Sequence, residues 1–281
     1  MANRTELLRL EHIYYRYNDT HTALKDVSAT FYQGERIVIL GNNGAGKSTF
    51  FLCCNGVLSP QSGKIFLRGQ EITRSKKSIL SLRQSVGLVF QEPDSQIIAG
   101  TVENEVSFGP MNLRLDNEEV ERRVTQSLGQ MNIEGYRNRA PQYLSGGEKK
   151  RVSIADILAM QPCIILLDEP TASLDPENEA LLEKTLDDLG LAGITMIVCT
   201  HDVDFAYRFA TRAIVFSSGE ILADSDIDEV FMSESVLSRA GLKKPLLYES
   251  AEMLEARFQL SGGVRKPKHM EEFRKYIEHL K

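Results

Sequence analysis

One stretch decides the fold: Gly41-Asn42-Asn43-Gly44-Ala45-Gly46-Lys47-Ser48-Thr49, which fits the pattern G-x-x-x-x-G-K-[ST]. It follows the apolar run 36–40, which predicts a buried strand, and we expect a helix to begin near Lys47. Glycines let backbone N–H groups point at phosphate oxygens, Lys47 neutralises the β- and γ-phosphates, and Ser48 offers its hydroxyl to magnesium. The predicted ligand is therefore a nucleoside triphosphate with Mg²⁺. A chance Gly-rich loop is the alternative, and the later motifs argue against it.

Two acids end another buried strand. From Pro162 the chain passes through the apolar residues 163–167 into Asp168 and Glu169, as in a central parallel strand whose carboxyl end carries the chemistry. We expect Asp168 to hold magnesium through water, and Glu169 to polarise the attacking water and accept its proton. Taken alone, the pair is also compatible with a cap on the next helix.

Between these stretches lies the segment Tyr143-Leu144-Ser145-Gly146-Gly147-Glu148-Lys149-Lys150-Arg151, through which the chain resembles the ATP-binding-cassette (ABC) ATPases. The LSGG signature separates that family from other P-loop proteins. A serine hydroxyl and glycine N–H groups at a helix start suit a second anion site. The resemblance implies that Ser145, Gly146 and Gly147 close on the γ-phosphate bound by a partner subunit, so that two chains enclose two ATPs. Glu148 stands where many members have Gln.

Further family elements follow in the expected order. Gln91 matches the Q-loop glutamine, which the resemblance implies touches the metal and water and links nucleotide state to a membrane partner. The segment Ser173-Leu174-Asp175 matches the D-loop that crosses the dimer interface. His201 matches the switch histidine that contacts the γ-phosphate. A histidine after a strand is by itself more often structural, and only its place in this series gives His201 that role.

The amino end offers a candidate for the adenine contact. Tyr14, Tyr15 and Tyr17 precede residues 23–27, and in similar proteins one aromatic residue just before that stretch stacks on adenine. We choose Tyr17, because a phenol ring stacked on a base contributes about 1–3 kcal/mol. The alternative is a strand whose tyrosines only pack.

A subfamily motif surrounds the Q-loop glutamine. The segment Phe90-Gln91-Glu92-Pro93-Asp94-Ser95-Gln96, followed by residues 102–110 with their F-G-P, resembles the energy-coupling-factor ATPases of micronutrient importers. The likeness runs over nearly the whole chain. It implies a second ATPase chain, as a homodimer or with a paralogue, a transmembrane scaffold subunit and a small substrate-binding membrane subunit. We expect residues 93–109 to form part of the groove for a coupling helix of the scaffold. Cobalt, nickel and vitamins remain open as cargo.

Composition limits the classes of partner and the cellular location. The net charge of −6 and the absence of a basic stripe argue against nucleic acid. Four cysteines without a C-x-x-C pair indicate reduced core residues in a cytosolic protein. No stretch approaches the roughly 18–20 apolar residues that span a bilayer, and the amino end lacks a signal-peptide core. We therefore expect peripheral attachment at the cytoplasmic face of the membrane, through other subunits.

The predicted fold class is α/β, the P-loop ABC ATPase fold. We expect a mainly parallel central sheet, an outer antiparallel sheet and a helical subdomain at about 94–159, all within a nucleotide-binding domain at 1–222. Residues 223–281 form a small helical extension. Two apolar stripes at helical spacing there flank Ser261-Gly262-Gly263, and they either pack on their own domain or help the chain dimerise. The stripes are Leu247, Ala251, Leu254 and Phe258, then Met270, Phe273, Ile277 and Leu280.

Three other classes of cassette protein are alternatives to a micronutrient importer. Cassette ATPases of DNA repair or chromosome maintenance insert long coiled coils, whereas only about fifty residues separate Gln91 from Ser145, without sustained heptads. Translation-associated members usually fuse two cassettes, and no second phosphate cradle occurs here. An ATPase of another importer or an exporter stays open.

One departure from the family pattern is Asp156. If this residue is buried, we expect it to have a partner or water, because an unpaired buried carboxylate is costly.

Overall fold

The computed structural model describes residues 4–18, 21–258 and 265–278. Its strands are β1 (Glu6–Asn18), β2 (His21–Tyr32), β3 (Arg36–Leu40), β4 (Ser62–Leu67), β5 (Gln70–Glu71), β6 (Val86–Val89), β7 (Ile164–Asp168), β8 (Thr195–Cys199), β9 (Arg212–Ser217) and β10 (Glu220–Asp226). Its α-helices are α1 (Lys47–Cys54), α2 (Lys76–Ser85), α3 (Val102–Asn112), α4 (Asn117–Gln130), α5 (Gly146–Ala159), α6 (Pro176–Leu191), α7 (Val203–Phe209), α8 (Ile227–Met232), α9 (Glu234–Ala240), α10 (Leu246–Phe258) and α11 (Met270–Glu278). None of these helices has the length and apolar character needed to cross a bilayer.

The central sheet has the strand order β10-β9-β3-β8-β7-β6. All its strands run parallel except β10, which pairs antiparallel with β9. Successive side chains point to opposite faces, so Ile37 and Ile39 join one apolar cluster while Val38 and Leu40 join the other. Burial on both faces explains the continuous apolar runs of these strands. The carboxyl ends of β3, β6, β7 and β8 share one edge, as the sequence predicted.

An outer antiparallel sheet covers one face of the central sheet. Its order is β2-β1-β4-β5, and β1 pairs with both β2 and β4. Helix α1 packs between the two sheets, with Phe50 and Phe51 buried in the shared cluster. This packing anchors the helix that follows the phosphate loop (Gly41–Thr49). The predicted outer sheet and the predicted start of α1 at Lys47 are both confirmed.

Helices cover the other face. The interval expected to be helical holds α3, α4 and α5, which pack on one another and on the apolar cluster of that face. On α4, Val124 and Leu128 are buried and Val120 is partly buried, which matches their four-residue spacing. The signature segment (Leu144–Glu148) lies at the start of α5.

The C-terminal helices continue the core of this helical face. Strand β10 runs to Asp226, so it crosses residue 222, the expected domain boundary. Phe231 of α8 and Tyr248 of α10 are buried in the same cluster as Tyr207 of α7.

Only part of each predicted apolar stripe points inward. In the first, Ala251 is buried and Phe258 is exposed; in the second, Met270 and Ile277 are exposed and Phe273 is partly buried. Tyr248 and Tyr276, which belong to neither predicted stripe, are buried as well, at 1% and 6% exposure. Ser261–Gly263 and Leu280, which the sequence analysis also named, lie outside the described residues.

Candidate functional site

The phosphate loop turns sharply between β3 and α1, and two glycines permit it. Gly41 has φ +139°, and a β-carbon there would overlap the carbonyl oxygen of Phe216. Gly46 has φ +106° and lies equally close to the carbonyl of Ala23. Only glycine combines such dihedrals with such close approach. The Nζ of Lys47 donates to the carbonyls of Gly41 at 2.6 Å and Asn42 at 3.1 Å, so the lysine lies across the loop, where phosphates would compete for it.

Four motifs distant in sequence meet in one cavity of about 430 Å³. Each comes from the carboxyl end of a central strand, because parallel strands deliver their following loops to one edge. The cavity is lined by His21, Ala23, Asn43, Gly44, Gly46, Lys47, Ser48, Thr49, Gln91, Asp168, Glu169, Cys199 and His201. The predicted phosphate, metal, water-activating and switch residues therefore lie together.

The candidate metal ligands are adjacent. Burial raises the pKa of Asp168, and a hydrogen bond with Ser48 opposes the rise by favouring the ionised carboxylate. Cys199, whose own thiol pKa is raised well above normal by burial, is also hydrogen-bonded to Asp168. Carboxylate and hydroxyl oxygens are the ligands that Mg²⁺ prefers, together with waters and substrate phosphates. The oxygen ligands that Ser48 and Asp168 offer therefore fit magnesium.

Glu169 is held by two neighbours from the end of β8. The hydroxyl of Thr200 donates to Oε2 at 3.0 Å, and Nδ1 of His201 lies 2.8 Å from Oε1, in position to donate to it. The Glu169 side chain is 12% exposed whereas that of His201 is 72% exposed, so the pair joins a shielded carboxylate to an accessible ring. The sequence analysis missed Thr200, whose only signal was its place before His201.

The residue predicted to contact adenine lies at the margin of this cavity. Tyr17 stands beside the cavity: its hydroxyl lies 3.1 Å from Oγ1 of Thr49, and its ring stacks on His21 with centroids 6.0 Å apart. His21, which carries no motif in the sequence, lines the cavity, whereas Tyr17 is not among the lining residues. A histidine in a strand carries no sequence signal for this role, because the approach of β2 to the phosphate loop is a tertiary feature.

The signature and D-loop residues lie outside this cavity. Ser145 caps α5 in a capping box, accepting from the Glu148 amide at 3.3 Å while its own amide donates to the Glu148 carboxylate at 2.7 Å. Ser145 and Gly146 are exposed, but Gly147 is buried and packs against Asn178. Glu148, which stands where many family members have glutamine, thus stabilises the start of α5 through the capping box.

The D-loop acid also caps a helix. Asp175 accepts from the amides of Glu177 at 3.1 Å and Asn178 at 3.0 Å. The side chain of Asn178 donates to Asp175 at 2.7 Å and accepts from Arg151 of α5 at 3.2 Å. Asn178 therefore joins the D-loop to the signature helix.

The Q-loop (Phe90–Gln96) leaves β6 and places Gln91 in the cavity. Its last residue, Gln96, accepts from the Phe90 amide at 3.2 Å and donates to the carbonyl of Ser153 at 2.9 Å and to Asp156 at 3.2 Å. The expected partner of Asp156 is therefore Gln96. Burial raises the pKa of Asp156 to about 7.

Comparisons with known proteins identify the family of this chain. The family profile described as ABC transporter matches residues 24–172. The energy-coupling factor transporter ATP-binding protein EcfA of Methanothermobacter thermautotrophicus is 44% identical, over 91% of this chain and 81% of the relative. The protein of the same name in Methanocaldococcus jannaschii is 45% identical, over 88% of this chain and 89% of the relative.

Two solved structures share the fold. The protein cbiO1 of Clostridium perfringens, described as part of the ABC transporter complex cbiONQ, superposes with a TM-score of 0.75 at 39% identity, covering 83% of this chain and 94% of that one. A dimeric ATP-binding cassette in a post-hydrolysis state, bound to ADP and Pi, gives a TM-score of 0.70 at 29% identity, covering 79% and 99%. This chain therefore belongs to the ATP-binding, ATP-hydrolysing proteins of ABC transporters, in their energy-coupling factor group.

Proposed function

We propose that this chain powers an energy-coupling-factor importer of a micronutrient such as cobalt, nickel or a vitamin, from the cytoplasmic face of the membrane. One observation carries the proposal: the phosphate loop, Gln91, the two acids and His201 converge on one cavity, whereas the signature residues lie outside it. Such an arrangement suits a motor whose sites are completed by another chain. An ATPase of a different ABC transporter is the alternative.

Within the site we assign roles by chemistry. Residues 41–49 and Gln91 bind ATP, and Tyr17 stacks with the adenine beside His21. Ser48, Gln91 and Asp168 would hold magnesium, which would supply charge neutralisation at the phosphates. Glu169 orients the attacking water and accepts its proton, and its contact with His201 supports a role of that ring at the same cavity. Lys47 and His201 stabilise the transferring phosphoryl group.

A second ATPase chain completes each site. Exposed Ser145 and Gly146, at a helix start whose N–H groups have no intrahelical partners, offer an anion site that the cavity of the same chain does not use. We assign Asp175 to the D-loop that crosses between the two chains. The dimeric cassette that shares this fold supports the arrangement. Both a homodimer and a pair with a paralogue satisfy it.

The membrane scaffold would dock beside the Q-loop. Apolar side chains are exposed there: Ile98 is 74% exposed, and Phe108 and Met111 of α3 are 53% and 63% exposed. Glu105, only 3% exposed, accepts from the amides of Ile98 at 2.9 Å and Ala99 at 2.7 Å. The loop that carries Ile98 is thereby fixed to α3, which suits a preformed groove for a coupling helix.

Copurification tests this function. We expect the tagged chain, drawn from its native membranes in mild detergent, to bring a scaffold protein and a small multi-spanning subunit, identified by mass spectrometry. Ile98→Asp should abolish this recovery and leave ATP binding unchanged, whereas Leu191→Asp, at an apolar position 85% exposed on α6, should retain it. Recovery of another class of membrane protein would favour the alternative transporter, and a purely soluble dimer would contradict transport.

A further inference from the structure

Lys150 is a buried lysine on the signature helix. Lys150 is only 2% exposed, and its Nζ donates to the carbonyls of Phe90, at 3.3 Å, and of Gln91. Burial lowers the pKa of Lys150 to about 8. A buried ammonium is costly unless it is well solvated by polar groups. The carbonyls at the start of the Q-loop supply that solvation, so the lysine and the loop stabilise each other.

The same face of α5 holds the other end of the Q-loop. Residues 150, 153 and 156 recur at three-residue spacing, and the second and third of these positions bind the side chain of Gln96. Gln96 in turn accepts from the Phe90 amide. The Q-loop is therefore fastened to the signature helix at its first two residues and at its last one.

The carboxylates of the site contribute to the placement of Lys150. Glu92, Asp168 and Glu169 each raise its pKa and so oppose the effect of burial. Lys150 therefore lies within the electrostatic field of the cavity, although its hydrogen bonds go to the backbone. This field makes a cation more favourable at this buried position than in an apolar core.

We propose that Lys150 is a positioning residue: by holding the Gln91 carbonyl, it directs the Gln91 side chain into the cavity. The inference rests on the proposed role of Gln91 in hydrolysis. Because α5 begins beside Ser145, which we assign to the partner's nucleotide, any shift of the signature helix carries Gln91 with it. Engagement of one ATP by Ser145 thus sets the geometry of Gln91 at the other ATP.

The test compares three lysine variants in the full chain. Lys150→Met keeps the aliphatic length and removes the donors, and we expect kcat for ATP to fall about tenfold with nucleotide Kd changed less than about twofold. Lys150→Gln, which can still donate to a carbonyl, should recover part of the loss. The matched control is Lys268→Met, because Lys268, in the bend before α11, also has a pKa lowered by burial and donates to a carbonyl, that of Ala210 after α7, at 2.8 Å. It should leave kcat unchanged.

A double-mutant cycle with Gln91→Ala gives the decisive readout. If Lys150 acts through Gln91, Lys150→Met should not lower kcat further in the Gln91→Ala background. Independent, multiplying losses would overturn the inference, as would a Lys150→Met kcat equal to that of the wild type. If Gln91→Ala alone leaves kcat unchanged, both the proposed role of Gln91 and the inference fail. Loss of kcat in Gln91→Ala but not in Lys150→Met refutes the inference alone.

Discussion

At the scale of single residues, the orientation of Glu169 is set by its neighbours. Its backbone has φ +44°, an uncommon conformation for a residue other than glycine. This residue directly follows β7, and Thr200 and His201 each contact one of its carboxylate oxygens. A base held in this way needs little reorganisation before it meets a water molecule.

Replacing Glu169 tests this arrangement. In Glu169→Gln the amide keeps a similar shape and loses the proton-accepting charge, so we expect ATP affinity to persist while hydrolysis falls at least about 100-fold. Steady-state phosphate release and binding of a fluorescent ATP analogue measure the two effects. Glu177→Gln, at an exposed acid in the first turn of α6, is the control. Rapid turnover by Glu169→Gln would contradict the assigned role.

Lys47 should act on binding instead. Its ammonium is placed among the loop carbonyls and can move to phosphate oxygens, where charge-assisted hydrogen bonds form. We expect Lys47→Ala to weaken nucleotide binding by on the order of 100-fold, with the thermal midpoint of the nucleotide-free protein nearly unchanged. Titration with the fluorescent analogue measures the first effect and calorimetry the second. Unchanged nucleotide affinity in Lys47→Ala would contradict the assignment of Lys47 to phosphate binding.

At the scale of elements, Asp156 shows the stability cost of burying a carboxyl group where the Q-loop contacts α5. The groups facing it are the Gln96 amide, which favours the ionised form, and Glu105 on α3, whose charge disfavours it. Burial is the larger effect and raises the pKa from 3.8 to about 7. The folded protein therefore holds a proton that the unfolded chain releases between those pH values, and stability falls as pH rises through this window.

Asp156→Asn should remove this pH dependence. The variant keeps an acceptor for Gln96, so we expect it to be more stable than the wild type at pH 8 and close to it near pH 4. The difference in unfolding free energy between the variant and the wild type should grow by at most about 1.4 kcal/mol per pH unit between the two pKa values of Asp156. Urea unfolding at pH 5 and pH 8 measures it, with Asp188→Asn, at an exposed acid of α6, as control. An equal difference at both pH values would contradict the assignment.

At the scale of the whole molecule, the C-terminal helices are part of the ATPase core. The rings of Tyr207, Phe231 and Tyr248 meet with centroids 5.5 to 6.3 Å apart. The Tyr207 hydroxyl also donates to Asp228 at 2.6 Å. These contacts join residues beyond β10 to the helix that follows the switch histidine. Stability of the nucleotide domain therefore depends on them, whether or not they also serve dimerisation.

Tyr248→Ala measures that dependence. Tyr248 is 1% exposed, so truncation should lower the free energy of unfolding by about 3 kcal/mol, or the thermal midpoint by roughly 5 to 10 °C. Leu246→Ala, at a position 66% exposed in the same helix, should change it little. We expect ATP turnover per folded molecule to stay unchanged below the midpoint. Equal destabilisation by the two variants would argue against the shared core.

The sequence predicts the central sheet and the cavity-lining motifs because each motif is local: an apolar run followed by a few defined residues. Contacts between distant segments carry no such pattern. His21 reaches the cavity because β2 passes beside the phosphate loop, and Lys150 is buried because the Q-loop folds over it. Tyr248 is inward because of its neighbours, whereas the predicted stripe began at Leu247. Hydrophobic periodicity and motif spacing locate helices and strands, but tertiary packing determines which face of each element is buried.

The bonds made by Gln96 also bear on how this family diverges. An acid at position 156 is tolerated because an amide sixty positions earlier donates to it. Among relatives, we therefore expect an acid at position 156 to occur together with a donor at position 96. Ancestral chains that gained the acid before the amide would have passed through a less stable intermediate.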